Sequence, residues 1–180
     1  MNAGLIARRY ASALEQYSTE RGQSEACVAN ARQMLTVMPQ LNELLRQPMP
    51  GAHKLEILDK ALPDQCDAFR GFLKVVTDHR REIYLGRILK SYIAEYKRVR
   101  GIVDARLTVA SAPSEQLLAQ LEQLTLKDTD AKKVDIEVTV DPEIIGGFIF
   151  KVEDRRLDAS VRRQINDLKR AFEVKNKRII

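Results

Sequence analysis

The chain has 180 residues, 44% hydrophobic and 31% charged, enough for one domain or two small ones. Its apolar runs are only a few residues long, which excludes a membrane-spanning helix, and the opening MNAGLIARRYASALEQ lacks the apolar core and cleavage site of a signal peptide. The net charge of +5 arises wholly in residues 1–103, with 16 Lys/Arg against 11 Asp/Glu, whereas residues 104–180 hold 14 of each; so dispersed an excess suits an acidic protein partner or solubility better than a nucleic-acid footprint.

From residue 4 to residue 100 the periodicity is helical. The first helix carries Ile6, Tyr10, Ala13 and Tyr17 on one face, with Ala7, Ala11 and Leu14 beside them. That apolar arc is wider than one core contact requires, and its alanines admit a close neighbour. Gly22 ends this helix. A second helix over 24–38 aligns Val28, Ala31, Leu35 and Met38, and Pro39 closes it. Leu41, Leu44 and Leu45 make a short third helix, stopped by Pro48 and Pro50. The fourth carries Leu55, Leu58 and Leu62 and ends at Pro63. The fifth, over 65–78, carries Phe69, Phe72, Leu73, Val75 and Val76. The sixth, over 82–100, repeats Leu85, Ile88, Leu89, Tyr92, Ile93 and Tyr96 and is roughly 28 Å long at 1.5 Å per residue. Short connections make a compact antiparallel bundle the expected outcome.

Gly101 marks a change of period. Residues 103–110 alternate as a strand with Val103, Ala105, Leu107 and Val109 on one face. Pro113 and Ser114 start a helix with Leu117, Leu118, Leu121 and Leu124 inward, and a polar loop follows. Val134, Ile136, Val138 and Val140 alternate as a second strand that Asp141-Pro142 breaks. Gly146-Gly147 opens a third, with Phe148, Phe150 and Val152 on one face. A turn over 153–155 leads to a short strand around Leu157, and a helix starts near Asp158 or Ser160. The predicted fold class is therefore α+β: an N-terminal six-helix bundle over 1–103, then a small β-α-β-β-β-α domain over 104–180. The second domain, at about 75 residues, is barely large enough for its own core.

Catalytic signatures are missing from the sequence. Cys27 and Cys66 fall in helical patterns, far apart and without metal-ligand spacing, and read as two reduced, packed thiols. His53 and His79 have no Cys or His partner at i+3 or i+4. Gly146-Gly147 lacks the glycine-lysine context of a phosphate loop and reads as a strand-opening turn or a close backbone approach. The residues thus imply no cofactor and no metal. A basic nucleic-acid-binding α+β protein is the alternative that the pI near 9.3 would support. It lacks aromatic RNA-binding residues on the strands, and a basic run appears only in the final VKNKRII.

The stretch VDIEVTVDPEIIGGFIFKVEDRRLDASVRRQI, residues 134–165, resembles the C-terminal region of the delta subunit of F-type ATP synthases. That family includes the mitochondrial oligomycin-sensitivity-conferring protein. IARRYASALEQYS is similar to the family's opening helix, where a basic residue precedes a Tyr-Ala-x-Ala segment. The chain departs from the pattern at His79-Arg80-Arg81, where the family often has Gly or Asn before an Arg.

The resemblance implies a non-catalytic stator subunit joining the catalytic head to the peripheral stalk, so that proton-driven rotation is coupled to ATP synthesis. The N-terminal bundle would sit on the head, and the groove between its first and fifth helices would receive the N-terminal helix of an alpha subunit. By position that groove would use Ile6, Tyr10, Ala13, Leu14, Tyr17, Phe72, Val75, Val76 and His79, with Arg8, Arg9, Arg80 and Arg81 as a charged rim. The C-terminal domain would bind the C-terminal region of the stalk b subunit through Phe148, Phe150, Val161, Ile165, Leu168 and Phe172. Arg155, Arg156, Arg162 and Arg163 would face an acidic stalk helix. The same apolar residues are also candidates for core. One copy per complex, a monomer when isolated, would lie at the cytoplasmic face of the bacterial inner membrane without inserting into it or binding nucleic acid.

Overall fold

In the computed structural model, residues 3–176 are described, with side chains to residue 170. The class is α+β, and the chain divides into two units, Met1–Val99 and Arg100–Ile180.

The first unit is helical: α1 Ala3–Glu20, α2 Ser24–Arg46, α3 Gly51–Ala61, α4 Asp67–Asp78, a 3-10 turn Glu82–Tyr84, and α5 Leu85–Arg100. The inward faces are those the 3.6-residue period selects. Ala7, Ala11 and Leu14 of α1, Ala31 and Met34 of α2, Phe69, Leu73 and Val76 of α4, and Leu85, Ile88, Leu89 and Tyr92 of α5 are all buried. Gly22, at φ +65°, ends α1 with the paired bonds of a Schellman motif: its N–H donates to the Thr19 carbonyl and that of Gln23 to the Ser18 carbonyl.

Two expectations about the bundle are corrected. Pro39 does not close the second helix: α2 runs through it to Arg46, so residues 3–100 hold five α-helices and a 3-10 turn rather than six helices. Proline costs its missing hydrogen bond and a clash, about 3 kcal/mol. Burial of Met38 before it and of Leu41 and Leu45 after it, each contributing about 1.5–3 kcal/mol, outweighs that cost. Of the three leucines read as a short third helix, Leu41 and Leu45 are buried and Leu44 is exposed. The sixth predicted helix begins as the 3-10 turn and is α-helical only from Leu85, which shortens it to about 24 Å.

The second unit holds β1 Ile102–Val109, α6 Glu115–Asp128, β2 Lys133–Val140, a 3-10 turn Pro142–Ile144, β3 Phe148–Val152, β4 Arg155–Asp158 and α7 Val161–Asn176. The sheet order is β2-β1-β3-β4. β1 and β2 are parallel, which requires the crossover that α6 supplies, and the other pairs are antiparallel. The register aligns Ala105, Leu107 and Val109 with Val152, Phe150 and Phe148 on the face that Leu117, Leu118 and Leu121 of α6 cover. Here too the alternation overstated burial. Val134 is buried, but Val138 and Val140 are exposed on the edge strand β2, and Leu124 points outward. A fourteen-residue helix covers only part of a sheet whose longest strands have eight residues.

Candidate functional site

Helices α1 and α4 lie side by side, and a groove of about 690 Å³ runs between them. Tyr10, Ala13, Leu14 and Tyr17 line one wall, at the i, i+3, i+4 and i+7 positions that form one stripe. Gly71, Phe72, Val75 and His79 line the other, again over two turns. Leu14 and Phe72 are buried and form the floor, whereas Val75 is 46% exposed and faces the opening. The wide apolar arc of α1 is thus divided: Ala7 and Ala11 enter the core, and Tyr10, Ala13 and Tyr17 stand in the groove.

Aromatic and guanidinium groups fix its shape. The Tyr10 and Phe72 rings meet edge to face, with centroids 6.4 Å apart, and Phe69 backs Phe72 at 6.2 Å. Arg81 donates to the Tyr10 hydroxyl at 3.1 Å, its guanidinium carbon 5.3 Å from the ring centroid. Arg21 lies over the Tyr17 ring at 4.6 Å. The His79 ring donates from Nδ1 to the Val75 carbonyl at 2.7 Å. The charged groups among the lining residues are Arg9 and Arg81, with no carboxylate.

The position of Arg81 follows from how α4 ends. Arg80 has φ +54°, its N–H donates to the Thr77 carbonyl, and the Arg81 N–H donates to the Val76 carbonyl. This is a Schellman stop with arginine in the left-handed position that glycine or asparagine usually fills. The departure from the family pattern therefore falls on a strained residue that aims its neighbour at Tyr10.

Of the nine residues expected in this groove, seven line it. Ile6 and Val76 are instead buried in the core. Of the expected rim, Arg9 and Arg81 reach the lining, whereas Arg8 and Arg80 do not. Gly71 was missed. A glycine inside a helix costs about 1 kcal/mol relative to alanine, which was the available signal for a close neighbour; a Cβ there would stand 3.6 Å from the Tyr17 hydroxyl.

In the second unit the expected stalk residues are dispersed. Phe150 is buried and Phe148 half-buried in the core against α6. Val161 is half-buried where α7 starts, and Ile165 and Leu168 are 39% and 59% exposed on α7. The Phe172 side chain lies outside those described. Arg155 and Arg156 line a second groove with Leu124, Phe150 and Leu157, while Arg162 and Arg163 lie on exposed α7.

The Gly-Gly and Asp-x-Ser motifs fix the start of α7. Gly147, at φ +75°, lies so close to residue 159 that a Cβ would stand 2.2 Å from the Ala159 carbonyl oxygen. The Val161 N–H donates to the Gly146 carbonyl and that of Ala159 to the Phe148 carbonyl. Asp158 accepts from the Ser160 hydroxyl and N–H, which hold its carboxyl below the usual carboxylate range, and Ser160 accepts from the Arg163 N–H.

The model of the ATP synthase delta (OSCP) subunit family matches residues 6–172. The delta subunit of ATP synthase from Phocaeicola vulgatus is 31% identical, with both chains covered in full. That from Rhodopseudomonas palustris strain BisB18 is 34% identical over 93% of this chain and 92% of its own. Among solved structures, a chain of the Toxoplasma gondii mitochondrial ATP synthase hexamer shares the fold, with a TM-score of 0.64 at 16% identity over 93% of this chain and 97% of that one.

Proposed function

Because the chain belongs to the ATP synthase delta (OSCP) family and is thus a non-catalytic stator subunit of an F-type ATP synthase, we propose that its helical unit binds the catalytic head through the α1/α4 groove. The occupant is the N-terminal helix of an alpha subunit. The family's six helical segments correspond here to α1, the two parts of α2 around Pro39, α3, α4 and α5. The observation that carries the reading is an apolar groove left open on the bundle, with Tyr10, Tyr17 and Val75 at its walls. A helix laid into such a groove buries its apolar face, and Ala13 lets its backbone come close. Arg9 and Arg81 without a lining carboxylate favour acidic residues on the flanks of that helix.

The second unit, in the same reading, holds the C-terminal region of the stalk b subunit. Its exposed apolar material includes Ile165 and Leu168 on α7, Leu124 and Leu157 beside the second groove, and Val138, Val140 and Ile145 on and after β2. Phe148 and Phe150 support that surface from within. One copy serves each complex at the cytoplasmic face of the bacterial membrane. It is held there by its partners, since no helix among the described residues is long and apolar enough to cross a membrane. The nucleic-acid reading is not supported.

Joining head to stalk needs slowly dissociating joints more than reactive side chains. Affinity purification after gentle lysis tests the assignment: alpha, beta and b subunits should be recovered with the chain. Recovery of the chain without them, under conditions that keep the synthase intact, contradicts it.

A further inference from the structure

Cys27 and Cys66 are 39 residues apart in sequence, yet their Sγ atoms are 3.0 Å apart. Both are free thiols. Their approach is built into three successive positions along one face of the α2 segment. The Gln23 side chain accepts from the Ala68 N–H at 3.0 Å. One turn on comes Cys27 itself, and then Asn30, which accepts from the Cys66 N–H at 2.9 Å and donates to the Asp64 carbonyl at 3.3 Å. The segment leading into α4 is thus clamped to α2 on both sides of the sulfur pair. Cys66 does not lie within a helix, as its pattern suggested; it is the residue before α4 and is half-buried. Cys27 is fully buried, and that burial, then its contact with Cys66, pushes its thiol far above the usual range.

We propose that Cys27 and Cys66 form a redox site, which a small-molecule disulfide of the glutathione class converts to an intramolecular disulfide. Cys66, half-buried where Cys27 is fully buried, acts first. Its sulfur attacks the oxidant, one S–S bond breaks, a mixed disulfide forms and one small thiol leaves with the Cys66 proton. The Cys27 sulfur, whose burial disfavours its thiolate but which is held 3.0 Å from Cys66 Sγ, then attacks it in a slower step, and its proton leaves with the second small thiol. Two electrons pass from the protein to the oxidant, which is reduced to two thiols. The new bond ties the start of α4 to α2 and closes the chain between residues 27 and 66, which restricts the unfolded state.

The test treats the full chain with oxidised glutathione at neutral pH, blocks remaining thiols by alkylation and maps the peptides by mass spectrometry. The site requires a linked Cys27–Cys66 peptide pair, loss of both thiols in a protein that stays monomeric, and a higher melting midpoint that dithiothreitol reverses. In Cys27→Ser a glutathione adduct should persist on Cys66. Two alkylated thiols in the treated parent protein, a lasting adduct on its Cys66, or only intermolecular disulfides would each overturn the proposal. The peptide map of the parent protein decides among these outcomes even if the variant folds poorly.

Discussion

A single backbone angle at Arg80 both ends α4 and aims Arg81 at Tyr10. Non-glycine residues pay roughly 1–2 kcal/mol for that left-handed conformation. Arg80→Gly should therefore stabilise the bundle by up to about 1 kcal/mol once glycine's extra unfolded-state entropy is deducted, read from urea unfolding midpoints. Gly147 presents the opposite case, because both its φ and the Ala159 carbonyl exclude a side chain. Gly147→Ala should cost about 2–4 kcal/mol, concentrated in the second unit and measurable as faster amide exchange in β3 and at the start of α7. Asp158 links that helix start to pH. Its folded pKa is lowered by Ser160, so its contribution is present above the unfolded value near 4 and is lost as pH falls through the folded one. Amide protection at residues 161–164 should decline below about pH 4, and Asp158→Asn should blunt that decline.

Helix α2 shows what local pattern cannot decide. Proline is a strong local stop, but the burial that carries α2 past Pro39 comes from Met38, Leu41 and Leu45 meeting residues distant in sequence. Pro39→Ala should restore a hydrogen bond to the Leu35 carbonyl and raise stability by about 1–2 kcal/mol, as checked by thermal melting. Apart from the 3-10 turn that starts the predicted sixth helix, the other helices of the bundle, the sheet strands and both glycine motifs were legible because each rests on local periodicity or backbone freedom. The groove was legible in part. The sequence placed Tyr10, Ala13 and Tyr17 on one stripe, but nothing local separates them from Ile6, which turns into the core. The same limit applied to Val75 and Val76, adjacent residues of which one faces the groove and the other the core. Meeting of Cys27 with Cys66 was not legible, since it depends on how α2 and the segment before α4 are brought together.

At the scale of the whole molecule, the two units differ in how much core they hold. The bundle buries side chains from all five helices, whereas among the described residues of the second unit the buried apolar side chains are Ala105, Leu107, Val109, Leu121, Val134, Ile144 and Phe150, and residues 162–170 of α7 are all exposed. Limited proteolysis should cut first within or beyond residues 98–106 and leave an N-terminal fragment of about 100 residues. The functional reading rests above all on the open groove of the bundle seating a helix of the catalytic head. Its sharpest check is calorimetric titration of the full chain with an alpha-subunit N-terminal peptide, beside Tyr10→Asp and Val75→Asp. Val75 is 46% exposed, so its substitution should leave the fold intact, and circular dichroism with melting verifies this for both variants. The parent should bind one peptide, and each folded variant should lose about 2 kcal/mol or more, close to thirtyfold in affinity, because a carboxylate is buried against an apolar partner face. Folded variants that bind the peptide as tightly as the parent would contradict this seating.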